Sequence, residues 1–444
     1  MAVSELAKTM KAFLWMFQSA RRFAYCRYAI LSIGFAITTV GSSPLHASGP
    51  ILGVGVHSIG SPPAVQAQEL KIAATAGFRS IRVDAAWKYV EREKGRYEIP
   101  EAWDKFVDLA VANGLEPMLI LDYGNKYYDQ GDKPRSKEAI QAFIRYSAYI
   151  VQHFARRVKY YEIWNEWDNH TGGGAPASPD DYAYLYKSVF PVLKKVDPQI
   201  TVLVGSGVRT GWFNRLADLN VLAYADGISV HPYVYQFGSK LGPEQVVRSL
   251  QDLHAQLLQQ SGRKALDIYV TEIGWPTNKG RFGSSETETA AYAERTIFLL
   301  SSLSFVKGVW WYDLKDDGVD IDNKEHNFGL LRFDYSKKPA FESLKYSARI
   351  AETRDLTLMS ESKLEQGVVM IASVRHRTGQ RGMIAWNLSQ ASVAPQALRC
   401  QLGVVESTSE RSSEGQAIRL MGRPAEIISL NKKCVAAYAD ELTQ

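Results

Sequence analysis

The sequence predicts an α/β fold: a (β/α)8 TIM barrel followed by a small antiparallel β-sandwich-like domain. Three observations predict it. Between about Ile51 and Ile350, short β-rich runs alternate with amphipathic helical stretches. The runs number eight, each apolar and rich in β-branched or aromatic residues, as buried parallel strands are. After Ile350 the helical stretches stop and only strand-like runs remain.

In chain order the eight runs are Ile51–Val56, Phe78–Asp84, Glu116–Asp122, Lys159–Trp164, Ile200–Ser206, Gly227–His231, Leu266–Glu272 and Lys307–Tyr312. The segments between them read as helices. The stretch from Pro100-Glu101 to Asn113, for example, places Trp103, Phe106, Val107, Leu109 and Ala110 at helical spacing. Eight such units over roughly 300 residues suit a barrel. A doubly wound sheet is the alternative, but no glycine-rich phosphate loop follows the first run. Beyond the barrel, Gly367–Arg375, Arg381–Leu388, Ala417–Met421 and Glu426–Leu430 read as strands of a small β-domain. No internal repeat or low-complexity linker interrupts the chain. The expected division is a leader at 1–47, a barrel at 48–350 and a β-domain at 351–444.

The 444 residues are 46% hydrophobic, enough for a large core and far from a disordered composition. The 10 Trp and 23 Tyr suit sugar binding, since apolar sugar faces stack on rings, but large aromatic cores account for such residues equally well. Lys8, Lys11, Arg21, Arg22 and Arg27 against Glu5 put 1–47 at +4, so only +1 of the +5 net charge falls on the remainder. A near-neutral body argues against nucleic acid as partner. The apolar run Ala29 to Val40 behind those cations fits a signal-peptide core, with Ala47 as a cleavage position, or an uncleaved anchor using Tyr25 to Val40. Either reading carries the body across a membrane, to a periplasmic, inner-membrane-associated or secreted location. Cys26 lies in the leader. Cys400 and Cys434 form one disulfide or remain two thiols. No metal-ligand spacing occurs, and neither metal nor organic cofactor is expected.

Barrel active sites sit where the strands end. The fourth run ends Ile163-Trp164-Asn165-Glu166-Trp167, and the seventh ends Val270-Thr271-Glu272-Ile273-Gly274-Trp275-Pro276. An isolated glutamate, Glu162 included, is usually a surface or capping acid. Two at strand ends, each beside tryptophan, point into one barrel mouth. Paired carboxylates are what glycosidic hydrolysis requires, one to protonate the leaving oxygen and one to meet the oxocarbenium-like carbon.

Trp164-Asn165-Glu166 and Thr271-Glu272-Ile273-Gly274-Trp275 resemble the motifs of clan A glycoside hydrolases, and the resemblance covers roughly Ile51 to Arg349. Within the clan the chain looks most similar to family 39. That family contains β-xylosidases, α-iduronidase and the Psl-type endoglycosidases of bacterial biofilm exopolysaccharide systems, and leader, barrel and β-domain together are most similar to the last group. The resemblance implies a retaining mechanism with Glu166 as acid/base and Glu272 as nucleophile. It implies that Arg82 lies beside the nucleophile, that Asn165 bonds the sugar 2-hydroxyl, that His231 touches the sugar on the non-reducing side, and that Tyr233 orients Glu272. One of Trp310 and Trp311 is expected to floor the sugar site, with Trp311 preferred. Trp87, Tyr123, Trp167, Tyr235 and Trp275 follow strand ends and are candidates for further subsites, or core residues. The expected substrate is a bacterial exopolysaccharide cut internally by a monomer. The alternatives are a secreted β-xylosidase or β-1,3-glucanase, or a non-catalytic polysaccharide-binding barrel.

Overall fold

The computed structural model describes residues 49–169, 171–174, 176, 178–205, 207, 210–237, 241–261, 266–364, 367–376, 381–387, 405–406 and 425–427. The leader, all three cysteines and the expected run Ala417–Met421 lie outside the described residues. Among the described residues no helix is long and apolar enough to cross a membrane.

Eight parallel strands close into a barrel in sequence order. They are β1 (Ile51–Gly55), β2 (Ser80–Asp84), β3 (Glu116–Leu121), β4 (Tyr160–Ile163), β5 (Thr201–Val204), β6 (Gly227–Val230), β7 (Ile268–Ile273) and β8 (Val306–Trp311). Six lie wholly inside the expected runs; β7 ends one residue later and β8 starts one earlier. A helix follows each strand: α1 (Pro63–Thr75), α2 (Glu101–Ala112), α3 (Lys137–His153), α4 (Pro179–Val196), α5 (Thr210–Asp218), α6 (Pro243–Ser261), α7 (Glu286–Ser301) and α8 (Pro339–Thr353).

Local chemistry explains these boundaries. Helix α2 buries Trp103, Phe106, Val107 and Ala110, one stripe at helical spacing. Helix α7 opens on a capping box, in which the Ser285 side chain accepts from the Glu288 amide and Glu288 reaches back to Ser285. Nearly all of α7 from Thr289 to Leu300 is buried, because α8 packs along its outer side.

The barrel floor is apolar. Met118 of β3, Leu203 of β5, Tyr269 of β7 and Trp310 of β8 meet there. Trp310 is fully buried and its indole N–H donates to Ser80 Oγ at 3.0 Å. Gly53 and Gly308 flank the ring, and a Cβ at either position would fall inside it. Small residues on β1 and β8 thus make room for the largest side chain.

Helix α8 passes directly into β9 (Arg354–Leu364), three residues beyond the expected domain boundary. Strand β9 was not among the expected runs. It pairs antiparallel with β10 (Gly367–His376), and β10 with β11 (Arg381–Asn387). Strands β13 (Ala425–Ile427) and β12 (Val405–Glu406) complete a sheet of order β12-β13-β11-β10-β9. Among the described residues these strands form one antiparallel sheet rather than the two of a sandwich.

Candidate active site

Strand β4 stops at Ile163 and the chain turns sharply. Trp164 and Glu166 both adopt left-handed backbone, φ 66° and 47°, which side chains other than glycine reach only when their surroundings hold them. Here the Trp164 amide donates to the Leu121 carbonyl at 2.9 Å, and the buried indole packs edge-on against Tyr123 and Trp167. On β7 the register with β8 shifts between Val270 and Ile273: two residues, Thr271 and Glu272, stand opposite Trp310 alone. This is a β-bulge, a device that re-aims side chains beside active sites. It lets Thr271 and Glu272 both face the barrel interior.

Arg82 of β2 reaches across the interior and organises the site. Its Nε donates to Glu162 Oε2 at 2.7 Å, its Nη1 to Glu272 Oε1 at 2.6 Å and its Nη2 to Asn165 Oδ1 at 2.9 Å. Asn165 passes the chain on, Nδ2 donating to the Tyr123 hydroxyl at 3.0 Å. The other oxygen of Glu272 accepts from the Tyr233 hydroxyl at 2.8 Å. Glu166 lies opposite, with Oε1 2.8 Å from His231 Nδ1 and Oε2 accepting from Asn169 Nδ2 at 2.5 Å and from Thr171 Oγ1 at 3.3 Å. A carboxylate oxygen of Glu166, a ring nitrogen of His231 and a carboxylate oxygen of Glu272 all lie within 4.8 Å of one another. Retaining glycosidases separate their carboxyl groups by about 5–5.5 Å and inverting ones by about 6.5–9.5 Å.

Burial opposes charge throughout this cluster, but the ion pairs outweigh it. Burial pushes the Glu162 carboxyl up, yet Arg82 and His231 bring it below the ordinary glutamate value. Burial likewise raises Glu166, while the His231 hydrogen bond and charge pull it down to about 2. Burial would discharge His231, but the charges of Glu272 and Glu166 raise it above the usual histidine value. The Tyr233 hydroxyl is pushed far up by burial and then by the Glu272 charge, so it stays a donor. Arg82, between Glu162 and Glu272, stays charged at all ordinary pH. Three donor groups close together resemble a metal set, but the Arg82 guanidinium already occupies Glu272 and supplies the positive charge.

Above these residues opens a cleft of about 420 Å³. Its walls include His57 beyond β1, Asp84 of β2, Tyr312 beyond β8, and Tyr235, Lys324 and Phe328 from the loops. His57 Nδ1 lies 2.9 Å from Asp317 Oδ1 and 4.0 Å from Asp313 Oδ2. Burial works against the charged ring, but the Asp317 hydrogen bond and both aspartate charges push it up to about 9.

Of the expected site residues, Glu166, Glu272, Arg82, Asn165, Tyr233 and Tyr123 come together around the cleft, and Tyr235 joins its wall. His231 is only 3% exposed and has both ring nitrogens engaged, so it braces Glu166 from beneath rather than facing open space. Four tryptophans do not reach the cleft. Trp87 is buried, stacked on Tyr128, with its N–H on Glu91. Trp167 is buried between Trp164 and Tyr182, bonded to the Ser178 carbonyl. Trp275 bonds the Leu241 carbonyl and packs on Trp311, which is itself buried outside the barrel wall. Strand alternation supplies the reason for β8: Trp310 points to the floor, Trp311 to the helix layer, and Tyr312 into the cleft. The ring expected from Trp310 or Trp311 is thus one residue further on. Not anticipated were His57, Tyr312, Asn169, Thr171 and the buried trio Glu162, Ser229 and Thr271. One general signal was available: a charged Arg82 inside a barrel calls for acidic partners there, and Glu162 lies within the fourth run rather than past its end.

Residues 50–313 match the family model described as cellulase (glycosyl hydrolase family 5). No curated protein matches the chain significantly. Among solved structures, a family 39 glycoside hydrolase from the gut symbiont Bacteroides cellulosilyticus WH2 is similar with TM-score 0.70 and 28% identity, over 86% of this chain and 81% of that one. A GH39 β-xylosidase from Caulobacter crescentus (TM-score 0.57, 17% identity, 77% and 79% of the chains) shares the fold. So does a GH5_18 protein from Streptomyces cattleya solved with GlcNAc (0.57, 16%, 69% and 81%). The family model spans more than half of the chain, and so the protein belongs to glycosyl hydrolase family 5 within clan A, the retaining O-glycosyl hydrolases.

Proposed function

We propose that this protein cleaves a bacterial exopolysaccharide internally, with Glu272 as nucleophile and Glu166 as acid/base. The observation that carries the roles is the carboxylate pair within 4.8 Å, held in two different environments. Glu272 is gripped by Arg82 and Tyr233, which hold and aim its two oxygens. Glu166 instead exchanges hydrogen bonds with His231, a group able to give or take a proton. Glu272 attacks the anomeric carbon while Glu166 protonates the leaving oxygen; water then attacks the glycosyl-enzyme with Glu166 as base. Asn165, anchored by Arg82 and Tyr123, keeps one amide hydrogen for the sugar 2-hydroxyl.

Support for the substrate comes from the resemblance of leader, barrel and β-domain to Psl-type endoglycosidases, and from the similarity to a family 39 enzyme at 28% identity. With four tryptophans buried, and Tyr235 and Phe328 nearly so, the aromatic contacts to sugar fall to the half-buried Tyr123, Tyr233 and Tyr312 along the cleft. The basic leader supports export, to the periplasm or the inner membrane, where such a polymer passes. The decisive experiment is product analysis on a panel of exopolysaccharides. Oligosaccharides of mixed length support internal cutting. Monosaccharides alone, or xylose from xylo-oligomers, would replace this reading with an exo-acting one. Binding without any turnover would leave a non-catalytic barrel.

A further inference from the structure

Beneath the two carboxylates lies a hydrogen-bond network whose proton count can be closed. Glu162 is ionised, held by Arg82, so it only accepts. The Ser229 hydroxyl donates to Glu162 Oε1. Ser229 Oγ also lies 2.5 Å from Thr271 Oγ1, and Thr271 Oγ1 lies 3.2 Å from Glu162 Oε1. Three contacts therefore share two hydroxyl protons. Ser229 uses its own on the carboxylate. If Thr271 turned its proton toward His231, two oxygens 2.5 Å apart would face each other with lone pairs only. Thr271 must donate within the trio, and its oxygen then accepts from His231 Nε2 at 3.0 Å.

His231 Nε2 thus carries a hydrogen in every state, and only Nδ1 is left to titrate. Nδ1 lies 2.8 Å from Glu166 Oε1 and 3.6 Å from Glu272 Oε2, while Glu162 Oε1 is 4.0 Å from Nε2. The charged groups around the ring are therefore three carboxylates, from β4, the β4 turn and β7, against the single guanidinium of Arg82 from β2. The Tyr233 hydroxyl, beyond β6, stays neutral. We infer that Glu162, through Ser229 and Thr271, fixes the His231 tautomer, so that in the free enzyme the proton Glu166 must deliver resides on His231 Nδ1.

The inference rests on the acid/base role given to Glu166 above. The step balances: the proton leaves Nδ1 as substrate engages, passes to Glu166 Oε1, and goes from the carboxyl to the departing oxygen. His231 remains neutral with hydrogen on Nε2. Glu162 and Thr271 are positioning residues and never touch substrate. The resting charges on Glu166 and His231, shifted in opposite directions by one another, agree with this placement.

The test is nitrogen NMR on full-length enzyme labelled with 15N-histidine, with His231 signals assigned by their loss in H231N. At pH 7 both His231 nitrogens are expected at imidazolium positions, and above the titration only Nδ1 should lose its proton. An Nε2 that loses its proton, or a neutral ring at pH 7, overturns the inference. The second readout is the pH profile of kcat/KM. Glu162→Gln removes a charge that favours the imidazolium, so the basic limb should move to lower pH by about one unit. Thr271→Val should move it the same way, and Thr271→Ser, which keeps the hydroxyl, should restore it. A merely structural role would lower activity at every pH and leave the limb in place. Because the NMR readout needs no turnover, failure of the Glu166 assignment in chemical-rescue experiments would be told apart from failure of this one.

Discussion

The two ends of the same eight strands solve opposite problems. At the floor, Trp310, Met118, Leu203 and Tyr269 fill the barrel by shape, and the fully buried Trp310 N–H has a partner. At the mouth, Arg82, Glu162, Glu272, Glu166 and His231 fill it with charge, each group paired. Large-to-small changes at a floor lose packing and leave a cavity. A change at the mouth that keeps the side chain's shape and hydrogen bonds loses function first; the buried charges cost stability mainly when one partner is removed outright and another is left unpaired. The lesson is that the barrel can hold a costly charge cluster at one end because the other end is packed without it.

The sharpest way to test this contrast is Glu272→Gln. Turnover should fall by roughly 10⁴-fold or more, as expected when the nucleophile is lost. The fold should persist, since Arg82 keeps Glu162 as a partner. Activity within tenfold of the parent protein would remove Glu272 from the mechanism. Next comes Glu166→Ala. Substrates with poor leaving groups should be crippled, while aryl glycosides with acidic phenols should suffer far less in the first step. Azide, which needs no base, should then restore turnover with retained configuration. An inverted product from the unaltered enzyme would contradict both assignments and the short carboxylate separation. Trp310→Ala reverses the pattern. It should cost about 3–5 kcal/mol of stability, visible in thermal or denaturant unfolding, with a much smaller change in kcat for the protein that stays folded. A change in kcat without a loss of stability would show that floor and mouth are not separable as argued.

Most of the barrel was legible in the sequence because buried parallel strands leave short apolar runs, and the two motif glutamates stand at strand ends. The ring facing the cleft was misplaced because β8 carries two consecutive tryptophans, and strand alternation alone does not say which face is inward until a neighbour is known. Gly53 and Gly308, which make room for Trp310, are the residues that decide it. The tryptophans after β2, β4 and β7 follow strand ends in sequence, but each turns back into the core to satisfy an indole N–H on Glu91, Ser178 or Leu241. Glu162, Ser229 and Thr271 were hidden for another reason: a polar residue inside a strand becomes meaningful only when its partners on other strands are known. Strand β9 follows a helix without a break, so no turn signal marks its start.

The smallest expected effect lies at the rim, where His57 beyond β1 meets Asp317 beyond β8. This pair ties the first strand to the last loop, but His57 is 43% and Asp317 37% exposed, so solvent and salt screen it. The ring is pushed up to about 9 in the folded protein, above the ordinary value of about 6.5. A raised value means that folding favours the charged ring. The stabilisation is therefore complete below about pH 6.5 and fades as pH rises through about 9. An exposed pair of this kind is worth about 0.2–1 kcal/mol, so the thermal midpoint should fall by no more than a few degrees across that window from this source. Asp317→Asn should remove that part of the pH dependence and leave the acid side unchanged except for the lost pair itself. Melting curves of both proteins between pH 6 and pH 10 measure the difference. Parallel pH dependence in the two would mean that the rim pair contributes nothing, and that the charge chemistry of this barrel is confined to the mouth.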